Sequence, residues 1–212
     1  MIKKISLVLM CILLLSTFVL AGKPKMTSDP KLTKEERDKL IQSLLDSKKE
    51  LMDAIEKLTD EQWNFRPAPF KWTVGETAEH IALAEGLLFA QVERALAAPE
   101  NPDWEAKTAN KMMMIEGPLA KRQGKAQAPE PIQPLKRNMS RAEIMKLLKE
   151  SREKSLKFAR ESNADMKSHT LDHPFPIFGT LNAYQWFIYI PMHNLRHNKQ
   201  VAEIKANANF PK

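Results

Sequence analysis

Apolar residues recur at helical spacing in four long stretches, each introduced by a polar start signal. In "KLTKEERDKLIQSLLDSKKELMDAIEKL" one face carries Leu40, Ile41, Leu44, Leu45, Leu51, Ile55 and Leu58, the spacing of an amphipathic helix. Thr33 and Glu36 precede it as a capping box: the hydroxyl meets the N3 amide and the carboxylate reaches back to the cap amide. The Pro-containing linker "NFRPAPFKW" stops this pattern. Thr73 and Glu76 form a second capping box, opening "VGETAEHIALAEGLLFAQVERALA" with an apolar stripe of Thr77, Ile81, Ala84, Leu88, Val92 and Ala95. Ser140 and Glu143 open "RAEIMKLLKESREKSLKFARES", whose inner face is marked by Ile144, Leu147, Leu148, Ser151, Ser155 and Phe158. The last long helix is expected to start at Thr180 and to end near Ala206.

Between the second and third helices, "WEAKTANKMMMIE" has room for a short helix. The Pro- and Lys-rich "GPLAKRQGKAQAPEPIQPLKRN" predicts an extended surface loop. A connection this long usually serves a function or is mobile. "SHTLDHPFPIFGT", with two prolines and a glycine, joins the third helix to the fourth. No stretch alternates convincingly at period two. The expectation is an all-α four-helix bundle over residues 33–206, with a long Pro/Lys-rich connection between its second and third long helices. Residues 22–32 form an N-terminal linker and residues 207–212 a C-terminal tail.

Composition changes this picture at the N-terminus. Lys3 and Lys4 precede an apolar run from Ile5 to Ala21 that ends "FVLAG", with Val19 and Ala21 as small residues before Gly22. A positive start, an apolar centre and a small-residue exit predict a secretory signal peptide over residues 1–21. An uncleaved anchor is the alternative, but the run is short for a span of roughly 20 residues. The expected location is therefore periplasmic or extracellular, with no stable membrane span after cleavage. Without Lys3 and Lys4 the 33 basic residues fall to 31 against 26 acidic ones, a formal +5. Those charges are dispersed and lack aromatic interleaving, so no nucleic-acid partner is expected. The single cysteine, Cys11, lies in the leader. The mature chain has no disulfide, thiolate ligand or cysteine nucleophile, and its stability must come from a packed core.

The chemistry concentrates in "YIPMHNLRHNKQVAEI". At about 100° per residue, His197 lies about 40° from His193, and Trp186, Ile190, Val201 and Ile204 fall within about 80° of it. Both imidazoles thus sit in the apolar stripe, four apart, where side chains stack on one face. They are either a pair of metal ligands or two packed histidines. A metal would need a third ligand, and His80, about 40° from Ala84 on the second helix, is the natural one. His169 and His173 share the same spacing, but Pro174 disfavours helix there, so they are read as loop histidines, with His173 at most on a site rim. Pro191 removes the amide that would bond the Phe187 carbonyl and predicts a bend just before His193.

These residues resemble a known family. "WTVGETAEHIALAE" is similar to the second-helix signature of the DinB/YfiT-like superfamily, and "FGTLNAYQWFIYIPMHNLRHNKQVAEIK" resembles its last-helix signature. "KAQAPEPIQPLK" resembles its proline-containing loop before the third helix. The resemblance covers most of residues 33–206. It implies an up-down-down-up bundle and a divalent-metal site, for nickel, zinc or iron, with His80, His193 and His197 as ligands. Characterised members include thiol-dependent S-transferases and isomerases, and bundle domains attached to ergothioneine-synthesis enzymes.

Three neutral imidazoles and no thiolate leave coordination positions open, as in catalytic rather than structural metal sites. Glu76, Glu79, Glu85, Gln91 and Gln200 are candidates to orient the imidazoles, although each also reads as a capping or exposed residue. Arg152 and Arg196 are candidates to hold an anionic substrate, against a default of solvated helix arginines. The functional expectation is an exported metal-dependent hydrolase or thiol S-transferase acting on a small molecule. A non-catalytic exported bundle that binds metal or a small ligand, and a bundle whose histidines only pack, are the alternatives. A monomer and a homodimer are both compatible with the pattern.

Overall fold

In the computed structural model, residue 29 and residues 31–122, 127–134 and 139–212 are described. The expected signal peptide, most of the 22–32 linker and Cys11 lie outside the described residues. The helices are α1 (Lys34–Ile55), α2 (Asp60–Asn64), α3 (Val74–Ala97), α4 (Trp104–Thr108), α5 (Lys111–Met114), α6 (Arg141–Glu161) and α7 (Ala183–Lys205). A π-helical turn at Ile115–Leu119 and a 3-10 turn at Glu130–Ile132 lie between α5 and α6.

All four long helices begin with a complete capping box. Thr33/Glu36, Thr73/Glu76 and Ser140/Glu143 cap α1, α3 and α6 as the residue types predict. The fourth cap is Asn182/Gln185, so α7 starts three residues later than expected. Thr180–Asn182 is instead a strand, β2, paired antiparallel with β1 (Thr170–Asp172) in the register Thr170↔Asn182, Leu171↔Leu181, Asp172↔Thr180. Gly179, at φ +59, turns the chain into β2, a conformation that costs glycine little. Three-residue strands are too short to show period two in a sequence. Helix α1 likewise stops at Ile55 rather than Leu58, and the short α2 follows on its own Thr59/Gln62 capping box.

Contacts along the helices fix their directions. Arg37 near the start of α1 donates to the Ala159 carbonyl at the end of α6 (2.6 Å). Arg141 at the start of α6 donates to the Ile55 and Leu58 carbonyls at the end of α1 (3.1 and 2.8 Å), so these two helices are antiparallel. Lys205 at the end of α7 donates to the Ala54 carbonyl of α1 (2.7 Å), and Tyr184 at its start lies by the Glu36 carbonyl, so α7 runs with α1. Lys154 of α6 meets Glu93 of α3 while Arg152 meets Glu85, so α3 runs with α6. The order is up-down-down-up. Helices α1 and α3 each pack mainly on α6 and α7 and stand diagonally to one another. Parallel neighbours such as α3 and α6 need a connection that travels back along the bundle, which explains the long segment between them.

The core is divided. One apolar cluster gathers Leu40, Leu44, Phe89, Leu156, Trp186 and Phe187; a second gathers Leu51, Ile55, Val74, Ile81, Leu148 and Val201. Along every long helix, buried polar residues stand between these two sets: Ser47 on α1, Glu85 on α3, Arg152 and Ser155 on α6, Asn194 and Asn198 on α7. At the second cluster's end, a Cβ on Gly75 would stand 2.3 Å from Trp63 Nε1, so glycine is required for α2 to pack against α3. The tail does not trail away: Phe210 packs edge-on against Phe65 (5.4 Å), and Gln62 donates to the Pro211 carbonyl (3.1 Å). Among the described residues, no helix is long and apolar enough to cross a membrane.

Candidate metal centre

His80 is carried by α3, and His193 and His197 by consecutive turns of α7. Packing of the antiparallel pair α3 and α7 brings the three rings together. Their centroids are 5.1 Å (His80–His193), 4.5 Å (His80–His197) and 4.5 Å (His193–His197) apart. One nitrogen from each lies within 4.8 Å of the other two. His80 and His197 are buried, and His193 is partly exposed. Helix α7 continues through Pro191 without interruption, placing both histidines on the face turned to His80.

Two of the three tautomers follow from their partners. His80 Nδ1 lies 2.7 Å from the Ile132 carbonyl, which can only accept, so Nδ1 carries the proton and Nε2 presents a lone pair. His197 Nδ1 lies 2.9 Å from Gln200 Oε1. Arg122, which can only donate, bonds that same oxygen at 2.8 Å. The Gln200 atom facing His197 is thereby its oxygen, and His197 Nε2 is left with a lone pair. Such acceptors behind an imidazole fix its orientation and raise its basicity as a ligand.

Electrostatics keep the site neutral. Burial lowers the His80 pKa to about 4, with the Arg196 charge acting in the same direction. Burial and the neighbouring imidazoles push His193 and His197 well below the usual range, again assisted by Arg196. Neutral imidazole is the form that binds metal. The donor set therefore fits a divalent ion. His80 Nε2 and His193 Nε2 are 3.3 Å apart, and tetrahedral coordination at about 2.0–2.1 Å would separate ligand nitrogens by about 3.3–3.4 Å.

Aromatic rings bound the triad on two sides. Trp72 lies 4.8 Å from His80 and stacks near His197 (6.2 Å), while Tyr189 stacks on His193 (6.2 Å, 21°). Burial raises the Tyr189 phenol to about 12, so it remains a hydroxyl. Neither ring stands out in the sequence: Trp72 precedes a cap, and Tyr189 lies in a run of apolar residues. The Ile132 carbonyl was also beyond sequence reading, since a main-chain oxygen has no residue signature.

The remaining candidates separate clearly. Gln200 orients His197 as described. Glu76 closes the α3 cap and pairs with Arg66, and Gln91 reaches Leu87 and Arg94. Glu85 pairs with Arg152 (2.7 Å) in the polar layer. Arg152 departs from both of its expected roles, as anion binder and as solvated arginine. It is 1% exposed, and its donors are engaged by Glu85, the Leu44 carbonyl, Ser47 and Asn194. Arg196, half-buried, sits where its charge acts on all three histidines.

His169 and His173 take separate paths, as the proline between them and a helix predicts. His169 Nδ1 bonds the Ala98 carbonyl (2.6 Å) at the far end of α3, near Glu100 and Asp165. His173 is buried, stacked on Trp186 (4.7 Å) and packed against Tyr189 (5.4 Å).

Comparison with known proteins bears on the fold and the family. The chain is 25% identical over 161 residues to the uncharacterized protein YuaE of Bacillus subtilis (strain 168), covering 74% of this chain and 91% of that protein. Its fold is similar to that of YfiT from Bacillus subtilis, described as a probable metal-dependent hydrolase with an unusual four-helix bundle topology. The TM-score is 0.55 at 18% identity, over 88% of this chain and 95% of YfiT. The family model of the DinB superfamily matches residues 19–201, most of the chain. With that model spanning most of the chain, and a bundle similar in fold to YfiT, the chain belongs to the DinB superfamily.

Proposed function

We propose that His80, His193 and His197 hold one divalent ion, nickel, zinc or iron, and that the protein is a metal-dependent hydrolase of a small molecule. The observation that carries this reading is the pair of Nε2 atoms of His80 and His193, 3.3 Å apart, beside His197; the Nδ1 atoms of His80 and His197 are already committed to acceptors. A divalent ion at three imidazoles supplies Lewis acidity and lowers the pKa of water bound to it. The chain's own residues do the rest. Ile132 and Gln200 hold two rings in the ligating tautomer, Trp72 and Tyr189 wall the site, and Arg196 attracts a negative group on the substrate. The structural relative described as a probable metal-dependent hydrolase supports the same chemistry.

The expected leader favours hydrolysis over thiol transfer. Exported compartments are oxidising, so a low-molecular-weight thiol cosubstrate is scarce there, whereas water is always present. Elemental analysis of the purified protein is expected to find about one equivalent of a divalent metal, and a screen of esters, amides and thiol adducts to find turnover that His193→Ala abolishes. Absence of metal, with an unchanged melting temperature on adding nickel or zinc, overturns the metal reading. Metal binding without turnover supports the non-catalytic binding alternative.

A further inference from the structure

Helix α7 poses a problem of rotation. From Ala183 to Met192 every residue is buried, so its apolar surface runs almost all the way round. A helix of that kind has no single stripe to select the face it presents. A slip of one residue would turn it by about 100° and shift it by about 1.5 Å, removing His193 and His197 from His80. The polar layer supplies the missing constraint. Asn194 and Asn198 each follow a site histidine by one residue and so form a second stacked pair, about 100° around the helix from the first.

Each asparagine is tied to another helix. Arg152 Nη2 of α6 donates to Asn194 Oδ1 (2.9 Å), Asn194 Nδ2 donates to Asn198 Oδ1 (2.7 Å), and Asn198 Nδ2 donates to the Ser47 carbonyl of α1 (3.0 Å). Arg152 is in turn held by a two-point bond to Glu85 of α3 (2.7 and 3.0 Å), and Ser155 donates to the same carboxylate (3.1 Å). Glu85 lies five residues beyond His80 on the same helix. The layer therefore links the two helices that carry the histidines, through directional bonds that apolar packing cannot provide.

We infer that Asn194, Asn198 and the Arg152–Glu85 pair are positioning residues that set the rotation of α7 and so aim His193 and His197 at His80. The effect on metal binding rests on the metal site proposed above; the effect on the geometry of the histidines does not. Buried polar groups of this type are best attested as devices of register rather than of net stability. Asn194 and Asn198 bond Arg152, each other and the Ser47 carbonyl rather than a site histidine, so their influence is exerted through the helix.

The test uses Asn194→Leu and Asn198→Leu, which keep the volume and remove the bonds, with Ser155→Ala as a control that touches Glu85 but not α7. Nickel(II) affinity is measured by competition with a chelator, and cobalt(II) spectra report coordination. In metal-free protein, cross-relaxation between the His80 and His193 ring protons reports ring proximity. The expected result is a 10–100-fold loss of nickel affinity in both leucine variants, a changed cobalt spectrum and weakened ring-to-ring cross-peaks, while Ser155→Ala changes only the melting temperature. Lower melting temperatures with nickel affinity, cobalt spectra and cross-peaks unchanged overturn the inference, leaving the layer as a stability element. If the wild type binds no metal yet the cross-peaks weaken in the variants, the positioning role stands and the metal reading falls. Should either leucine variant fail to fold, Asn198→Ala, which removes the bonds to Asn194 and to the Ser47 carbonyl without adding bulk, provides the milder version with the same readouts and the same two outcomes.

Discussion

His173 shows what a single residue contributes when it is buried neutral. The ring stacks on Trp186 and accepts from the Phe175 amide at Nδ1 (3.0 Å), and burial lowers its pKa to about 4. In the unfolded chain the same imidazole takes up a proton near 6.5. Its contribution to stability is therefore complete above pH 6.5 and is lost as pH falls from 6.5 towards 4, because the unfolded state binds the proton first. The full effect is up to about 3 kcal/mol. His173→Phe is expected to flatten the dependence of unfolding free energy on pH by that order between pH 6.5 and 4, measured by denaturant titration at a series of pH values. An unchanged slope would show that the ring takes up its proton in the fold as readily as in the unfolded chain. At this scale the sequence was informative about identity and poor about surroundings. His80, His193 and His197 were legible as a set, but Arg152 was read by charge as a solvated or substrate-facing residue. Its position among Ile144, Leu148, Leu156 and Ala159 on the buried face was missed, because the sequence marked that face with Ser151 and Ser155 instead.

Among elements, the junction of α2 and α3 shows close packing. Gly75 stands where any Cβ would overlap the Trp63 indole, and Arg141 lies over that ring, 4.7 Å from its centroid, while its guanidinium also caps the end of α1. Gly75→Ala is expected to lower stability by about 1–3 kcal/mol through overpacking, although alanine is the better helix former. A melting temperature equal to or above that of the wild type would contradict this packing. Helix starts were legible because a capping box is written in four consecutive residues; three of the four long helices begin where Thr or Ser with Glu three residues on predicts. The fourth was displaced because Thr180 and Asn182 are both good cap residues. Only the pairing of Thr180–Asn182 with Thr170–Asp172 selects Asn182.

For the whole molecule, the divided core predicts how the bundle fails. Glu85→Gln leaves Arg152 charged and under-compensated at the centre, a change expected to cost about 3–5 kcal/mol. Glu85→Leu combined with Arg152→Met removes both charges and is expected to cost less than the sum of the single changes. Equilibrium unfolding of Glu85→Leu, Arg152→Met and their combination measures this coupling, and strict additivity would mean that the two side chains do not share one network. The same layer stands beside the three histidines, since Glu85 shares α3 with His80, and Asn194 and Asn198 each follow a histidine on α7.

The amino-acid sequence by itself determined the helical periodicity, most helix starts, the helix class of the fold and the three histidines, because each is encoded locally, within a few residues or by one face of one helix. Only the tertiary structure decided which groups stand behind those histidines and which charges are buried. The Ile132 carbonyl reaches His80 across 52 residues of chain, and Arg152 reaches Asn194 across 42. Such contacts depend on where a long connection docks and how helices are rotated about their axes. Those properties arise from packing all four helices at once, and no local pattern carries them.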